Sequence, residues 1–255
     1  MKRERKNEMK RIIKCCLEIA LGLFAVAGCS KEPSGGSGGS GGDGITSRFD
    51  KHKGVQLWKD GPYWAETNIG AERPWQFGYY FWWGATSGYN RYKDVWVTSD
   101  GSSSNFAFYV KHALTMNTDE STLRKEGWIS SDGALTPKHD AAHVLWGGNW
   151  RMPTSAELQK LCEECDWTRT FMCGFPGHLI KGKGDYASAQ IFLPAAGYGD
   201  GTSQIGTIWK GYYWSSSSVG CDYAFFFYFD SGDICGVRGD LSRYHGMPIR
   251  PVKNP

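Results

Sequence analysis

Residues 146–158 read Trp146-Gly147-Gly148-Asn149-Trp150-Arg151-Met152-Pro153-Thr154-Ser155-Ala156-Glu157-Leu158, and the rest of the chain is best understood outward from this point. Thr154 can accept a hydrogen bond at the start of a helix, and Glu157, three positions on, can return one, which together make a capping box. Leu158, Leu161 and Cys162 then fall on one face, so a helix is predicted from about Ser155 to Cys165. Nothing else in the chain has a helical period as clear. Short apolar segments punctuated by glycine lie at Gly78 to Trp83, Ile191 to Pro194, Tyr212 to Ser215, Tyr223 to Phe229, Ile234 to Arg238 and Met247 to Val252. They are predicted to be strands between long loops. Asp230-Ser231-Gly232-Asp233 supplies turn chemistry, so Tyr223 to about Arg238 is predicted to be a hairpin. The fold class that follows is α+β, with short antiparallel strands and one or two helices.

The N-terminus has a different character. Lys2, Arg3, Arg5, Lys10, Arg11 and Lys14 precede an apolar run from Cys15 to Ala27, which ends in Val26-Ala27-Gly28-Cys29. Residues 1–28 therefore read as a signal peptide; the run is short of the roughly 20 apolar residues that span a bilayer. The tetrapeptide resembles a bacterial lipobox, which makes Cys29 the expected lipidation site. Ser30 and Lys31 are compatible with sorting to an outer membrane. Residues 29–44 form a lipidated tether, almost wholly Gly and Ser from Ser34 to Gly44, a composition that stays a flexible coil. Residues 45–255 are long enough for one domain with a substantial core. The expected place is the cell envelope, as a surface-exposed outer-membrane lipoprotein held through its lipid. Net charge is only +3, and with no basic stripe there is no footprint for nucleic acid.

Five cysteines remain beyond the anchor: Cys162, Cys165, Cys173, Cys221 and Cys235. An odd number cannot all pair. Cys162-Glu163-Glu164-Cys165 has zinc or redox spacing, yet nothing completes a tetrahedral site. Three readings stay open for it: structural or free thiols, a disulfide with Cys173, or a metal pair. His112, His139 and His143 come nearest to a histidine cluster, at spacings that fit no metal motif. No cofactor and no metal are expected.

Taken in order, several motifs carry a family resemblance. They are Asp140-Ala141-Ala142-His143-Val144, the stretch from Trp146 to Leu158, Cys165-Asp166-Trp167-Thr168, Ile191-Phe192-Leu193-Pro194-Ala195-Ala196-Gly197-Tyr198, Gly211-Tyr212-Tyr213-Trp214-Ser215-Ser216 and Ile249-Arg250-Pro251-Val252. Over most of Val55 to Val252 the chain resembles the Fibrobacter-succinogenes-type major paralogous domain. The resemblance implies a C-type-lectin-like fold, distantly similar to the formylglycine-generating-enzyme domain and to variable proteins diversified by retroelements. In the variable proteins the C-terminal segment forms a ligand-binding face on a fixed scaffold.

Residues 215–246 are the corresponding segment here. Retroelement mutagenesis turns AAC codons into NNC codons, which never encode Lys, Glu, Gln, Met or Trp. Between Trp214 and Met247 none of these five occurs, although Asp222, Asp230, Asp233, Arg238, Asp240 and Arg243 show that charge is admitted. The segment is either diversified, now or formerly, or belongs to a fixed member of the same family. Its Tyr, Ser, Gly and Asp residues suit adaptable contacts. The residues expected to face a ligand, chosen by strand alternation, are Val219, Asp222, Tyr223, Phe226, Tyr228, Val237, Asp240, Ser242, Tyr244 and His245. The ligand expected is a protein or glycan at the cell surface.

Trp150, Arg151, Pro153, Trp214, Arg250 and Pro251 read instead as scaffold, and for Arg151 and Arg250 a buried structural hydrogen bond is the commoner role than anion binding. Two alternatives to ligand binding remain. One is a structural or adhesive part of the envelope. The other is an enzyme of the formylglycine-generating type, which acts through paired cysteines; here only Cys221 and Cys235 lie in the right region. A hairpin turning at Ser231-Gly232 puts residue 221 opposite roughly 242, out of register with Cys235. No catalytic residue is expected. The Glu-Pro-Asn and Trp-Asn-Asp motifs of calcium-dependent lectins are absent from the sequence.

Overall fold

The structure is a computed structural model in which residues 52–90, 95–97, 113–232 and 235–255 are described. The expected signal peptide, Cys29 and the tether lie outside the described residues, as does His112. The described residues belong to a unit spanning Arg48–Pro255. Among them, no helix is long and apolar enough to cross a membrane.

Three α-helices are present among the described residues: α1 (Glu120–Lys125), α2 (Ala141–Trp146) and α3 (Ser155–Glu164). Each starts where a side-chain oxygen satisfies an amide that the first turn leaves free. Asp119 caps α1 by accepting from the Thr122 amide. At α3 the Thr154 Oγ1 accepts from the Glu157 amide at 3.2 Å while Glu157 Oε2 accepts from the Thr154 amide at 2.8 Å, which is the capping box read from the sequence. Glu157 also takes two bonds from the Arg151 guanidinium, at 2.6 and 2.8 Å, so Arg151 ties the helix entry to the strand before it. The Asp140 carboxylate caps α2 through the amides of Ala142 and His143 and reaches across to the Met152 amide. One buried carboxylate thus joins α2 to the chain entering α3. Burial raises its pKa against the lowering effect of those three bonds.

The strands form small antiparallel sheets. A four-stranded sheet has the order β1 (Gly54–Gln56), β2 (Tyr63–Ala65), β14 (Val252–Lys253), β5 (Trp150–Arg151), so it closes the C-terminus onto the start of the domain. A second sheet runs β6 (Asp166–Met172), β7 (Phe175–Lys181), β8 (Gln190–Pro194), and a third runs β11 (Gly211–Val219), β12 (Tyr223–Phe229), β13 (Cys235–Arg238). Two-stranded ribbons are made by β3 (Gly88–Asn90) with β4 (Val95–Val97) and by β9 (Tyr198–Asp200) with β10 (Ser203–Ile205). The architecture is mixed α+β. The hairpin predicted from Tyr223 to about Arg238 forms, with Phe226 opposite Arg238 and Phe229 opposite Cys235. The strand predicted for Gly78 to Trp83 reduces to isolated bridges from Tyr80 to Tyr89 and Phe81 to Met247, since Gly78 and Gly84, both at positive φ, bend the chain at either side.

Strands β11 and β12 divide the core. Side chains alternate across a strand, so Trp214, Phe226 and Tyr228 join one apolar cluster with Phe81, Trp83 and Met247. Tyr213, Phe227 and Phe229 join the other, with Trp64, Leu158 and Ile191. Both faces of β12 are therefore covered. Trp214 is fully buried and its indole N–H donates to the Phe81 carbonyl at 2.9 Å, so truncation to alanine would cost about 3–5 kcal/mol. Gly211 is required where it stands, because a Cβ there would collide with the ring of Phe229 across the pair.

Arg250, fully buried, donates to Asn68 Oδ1 and to the carbonyls of Ala65, Glu66 and Phe192. Its donors are thereby used by the fold rather than offered to an anion. Two cysteine expectations are corrected. Cys162 is neither free nor paired with Cys173, because α3 turns it toward the start of β13, where it forms a disulfide with Cys235. Cys165 and Cys221 are free, and burial pushes the Cys165 thiol up to about 12.

Candidate functional site

The sheet β11–β12–β13 meets the β9–β10 ribbon at a concave site of about 160 Å³. Its walls are aromatic. Tyr212 and Tyr228 are opposed in the β11–β12 register, which brings their rings edge to face at 5.1 Å. Tyr198 meets Tyr212 at 4.8 Å, and the Phe226 ring stacks against Tyr212 at 5.8 Å. Charge lies at the rim. Arg238 grips Asp240 through Nη2–Oδ2 at 2.8 Å and Nε–Oδ1 at 3.2 Å, and both the guanidinium and the Lys210 ammonium sit 5.6 Å from the Tyr228 ring centroid.

Polar groups in the site have unequal commitments. Tyr228 donates its hydroxyl proton to Asp230 at 3.1 Å. Among the described residues the hydroxyls of Tyr198 and Tyr212 have no hydrogen-bond partner, and the Lys210 ammonium forms no ion pair. Burial, and then the neighbouring Tyr228, push the Tyr212 phenol up to about 12, so it stays a neutral donor. The hydrogen bond from Arg238 holds Asp240 below its usual value, as an acceptor-only carboxylate.

The residues predicted to face a ligand separate into groups. Phe226, Tyr228 and Asp240 line this site together. Phe226 and Tyr228 are nevertheless buried, at 1% and 8% exposure, which corrects the expectation of an open aromatic face: scaffold covers β12 on both sides, so alternation there separates two cores rather than core from water. Val237 is also corrected, since it packs against the second cluster. His245 is buried, stacked on the half-buried Tyr244 at 4.1 Å and edge-on to Tyr198 at 5.1 Å; it stands behind the site wall. Val219 and Tyr223 pair at the far end of β11–β12, where Tyr223 is exposed and bridges to Ser242. Asp222 in the adjoining turn accepts from the Asn117 amide at 2.6 Å.

Five lining residues escaped the sequence reading: Tyr198, Lys210, Tyr212, Arg238 and Leu241. The first three precede the segment that the reading treated as the face. The signal that finds Tyr212 is strand register, since a hairpin that places Phe229 opposite Gly211 must place Tyr228 opposite Tyr212. Lys210 ends a turn whose apolar residues are exposed: Ile208 at 50% and Trp209 at 57%, with Ile205 before them at 41%. Ile208 has φ +71°, a left-handed conformation that is costly for a β-branched residue.

The face is held on the scaffold at two points. One is the Cys162–Cys235 disulfide, from α3 to β13. The other is Arg243, fully buried, whose guanidinium donates to the carbonyls of Tyr223, Thr115, Thr118, Cys221 and Gly220 at 2.9–3.0 Å and lies 4.8 Å over the Trp83 ring. Among the described residues no group of three or more His, Cys, Asp or Glu is placed to hold a metal ion. His139 stacks on Trp128 at 3.7 Å. In comparisons with known proteins, no family model, no curated protein and no solved structure matches the chain.

Proposed function

We propose that the chain is a non-enzymatic lipoprotein of the bacterial cell envelope whose C-type-lectin-like domain binds a protein or glycan ligand through the face built on β11–β12–β13. The observation that carries this reading is the concave site itself. It combines aromatic walls, two phenol hydroxyls without partners among the described residues and charged groups at the rim, on strands fixed to the scaffold by a disulfide and a buried arginine. Ligand sites are concave and carry a few placed polar groups. The residues at the site come partly from 215–246, the segment lacking Lys, Glu, Gln, Met and Trp, and partly from Tyr198, Lys210 and Tyr212 before it. That division supports a tunable face on a constant frame.

The non-catalytic reading is supported by Cys235, which is bonded to Cys162 and so is not available to act with Cys221. The test is a binding screen of the full-length protein against arrayed glycans and envelope proteins, repeated with Arg238→Ala and Asp240→Ala. Both residues are exposed, so these variants fold; the expected result is a ligand whose binding falls at least roughly tenfold in each. A ligand held equally well by both variants places binding elsewhere and overturns the proposal.

A further inference from the structure

The class of ligand follows from what the β11–β12–β13 sheet leaves open, and it rests on the ligand-binding reading above. We infer that the ligand is a protein, held by an extended segment that pairs with the outer edge of β13 as a fourth strand of this sheet.

Main-chain hydrogen bonds fix which groups lie on that edge. The Trp214 amide donates to the Pro248 carbonyl at 3.1 Å, so Trp214 faces away from β12. The bonded pairs of that ladder are then Tyr213 with Phe227 and Gly211 with Phe229. The Phe225 carbonyl accepts from Ser215 Oγ on β11 at 2.7 Å and so points the same way. Phe226 and Tyr228 therefore turn their main chains toward β13, where they meet Arg238 and Gly236. The N–H and C=O groups of Cys235 and Val237 are left facing outward. Among the described residues these groups have no hydrogen-bond partner, and no residue of β13 is buried. Gly236 stands between them on the side of the candidate site, and a Cβ there would meet nothing within 4 Å, so another backbone can approach closely.

Donors and acceptors that repeat at every second residue of a strand are complementary to the main chain of another extended polypeptide. A glycan has no such repeat. The rest of the site agrees with this class. The rings of Tyr212, Phe226 and Tyr228 are at most 9% exposed, so the floor is filled and offers a flat ligand little to stack on. Lys210 and Arg238 are offset by Asp200, Asp230 and Asp240 around them, so charge selects neither an anion nor a cation. The open edge is also ordered in advance, by β12 along one side and by the Cys162–Cys235 bond at its start, which lowers the entropic cost of binding. Ile208 and Trp209, 50% and 57% exposed, directly precede Lys210 and give a protein partner apolar area beyond the strand itself.

The experiment selects binders of the full-length protein in detergent from a displayed library of random linear peptides, then methylates the backbone nitrogens of a selected peptide one at a time. The expected result is a loss of about tenfold or more at every second amide, with little loss between, because only alternate amides face β13. Val237→Pro removes an outward N–H that the sheet does not use, a change tolerated on an edge strand, and should weaken the peptide about tenfold, whereas Val237→Ile keeps the N–H and the affinity. Should the proline variant misfold, hydrogen exchange on the wild-type chain serves instead, and the Val237 amide should gain protection when the peptide binds. Losses without alternation, an unprotected Val237 amide, full affinity in a folded Val237→Pro, or a library that yields no binder overturns the inference. So does sedimentation showing that two copies of the chain close this edge against each other. In each of those cases a glycan or protein from the array that still depends on Arg238 and Asp240 leaves the ligand-binding reading standing, so the two fail separately.

Discussion

Cys162 on α3 and Cys235 at the first position of β13 are joined by a disulfide that spans 73 residues of sequence, with Cα atoms 6.3 Å apart. One sulfur belongs to the scaffold helix and the other to the strand that carries Arg238. The bond therefore fixes one edge of the candidate site to the rest of the domain, and it suits an oxidising compartment outside the cytoplasm.

Closing a loop of that length removes enough unfolded-state entropy to contribute about 4 kcal/mol. Reduction, or the pair Cys162→Ser with Cys235→Ser, is expected to lower stability in urea titration by about 2–4 kcal/mol. Alkylation followed by mass spectrometry should find the two bonded cysteines protected in the native protein. Exposed Cys221 should react first and Cys165, buried with its thiol pushed up to about 12, last. Modification of Cys235 without prior reduction would contradict the pairing.

Arg243→Met is expected to destabilise the domain by at least about 3 kcal/mol, because it removes the donor to five carbonyls that stay buried or half-buried. Arg243→Lys should recover only part of this, since an ammonium has three donors and no planar fork. Chemical denaturation of the three proteins measures it. A loss below 1 kcal/mol for the methionine variant would show that the carbonyls find water.

Stability should fall as pH drops below the ordinary histidine range. Burial lowers the pKa of His245 in the folded state, so the neutral ring is favoured there. The contribution of that burial is intact above the unfolded value of 6.5 and is lost as pH falls from 6.5 through the folded value. His139 is lowered by burial and by Lys138, and acts in the same direction. Asp140, raised by burial, acts in the opposite one. Melting curves at pH 7.5 and 5.0 should differ less for His245→Gln than for the wild-type chain; an identical difference would remove His245 from the account.

Sequencing the locus from many cells tests the diversified face. Variation is expected at codons for residues such as Tyr223, Asp240, Ser242 and Tyr244, and constancy at Cys235 and Arg243, whose partners lie in the scaffold. A segment identical in every cell would mean a fixed face.

Local signals explain what could be read in advance. The α3 start was legible because a capping box is complete within four residues, and the 223–238 hairpin because its alternation and turn are contiguous. The β6–β7 hairpin was missed although it turns on two residues, Cys173 and Gly174, both at positive φ. Such turns ordinarily show Asn or Asp before the Gly, and a cysteine there gave no turn signal. The disulfide was hidden because Cys162-x-x-Cys165 suggested a local partner while the real one is 73 residues away. The site was half legible: Phe226, Tyr228 and Asp240 were selected, but Tyr198 reaches it through the tertiary placement of the β9–β10 ribbon and Lys210 from the turn before β11, which no periodicity encodes.

Every hydrogen-bond acceptor of the Arg243 guanidinium is a main-chain carbonyl. Peptide oxygens are the same whatever side chain the residue bears, so this anchor is blind to the side chains at 221 and 223 in the turn it secures, while Gly220, at φ +62°, is held to glycine by its backbone. New side chains can be tried at that turn without renegotiating its attachment. The domain thereby separates the evolvability of its surface from the integrity of its fold, at the level of a single amino acid.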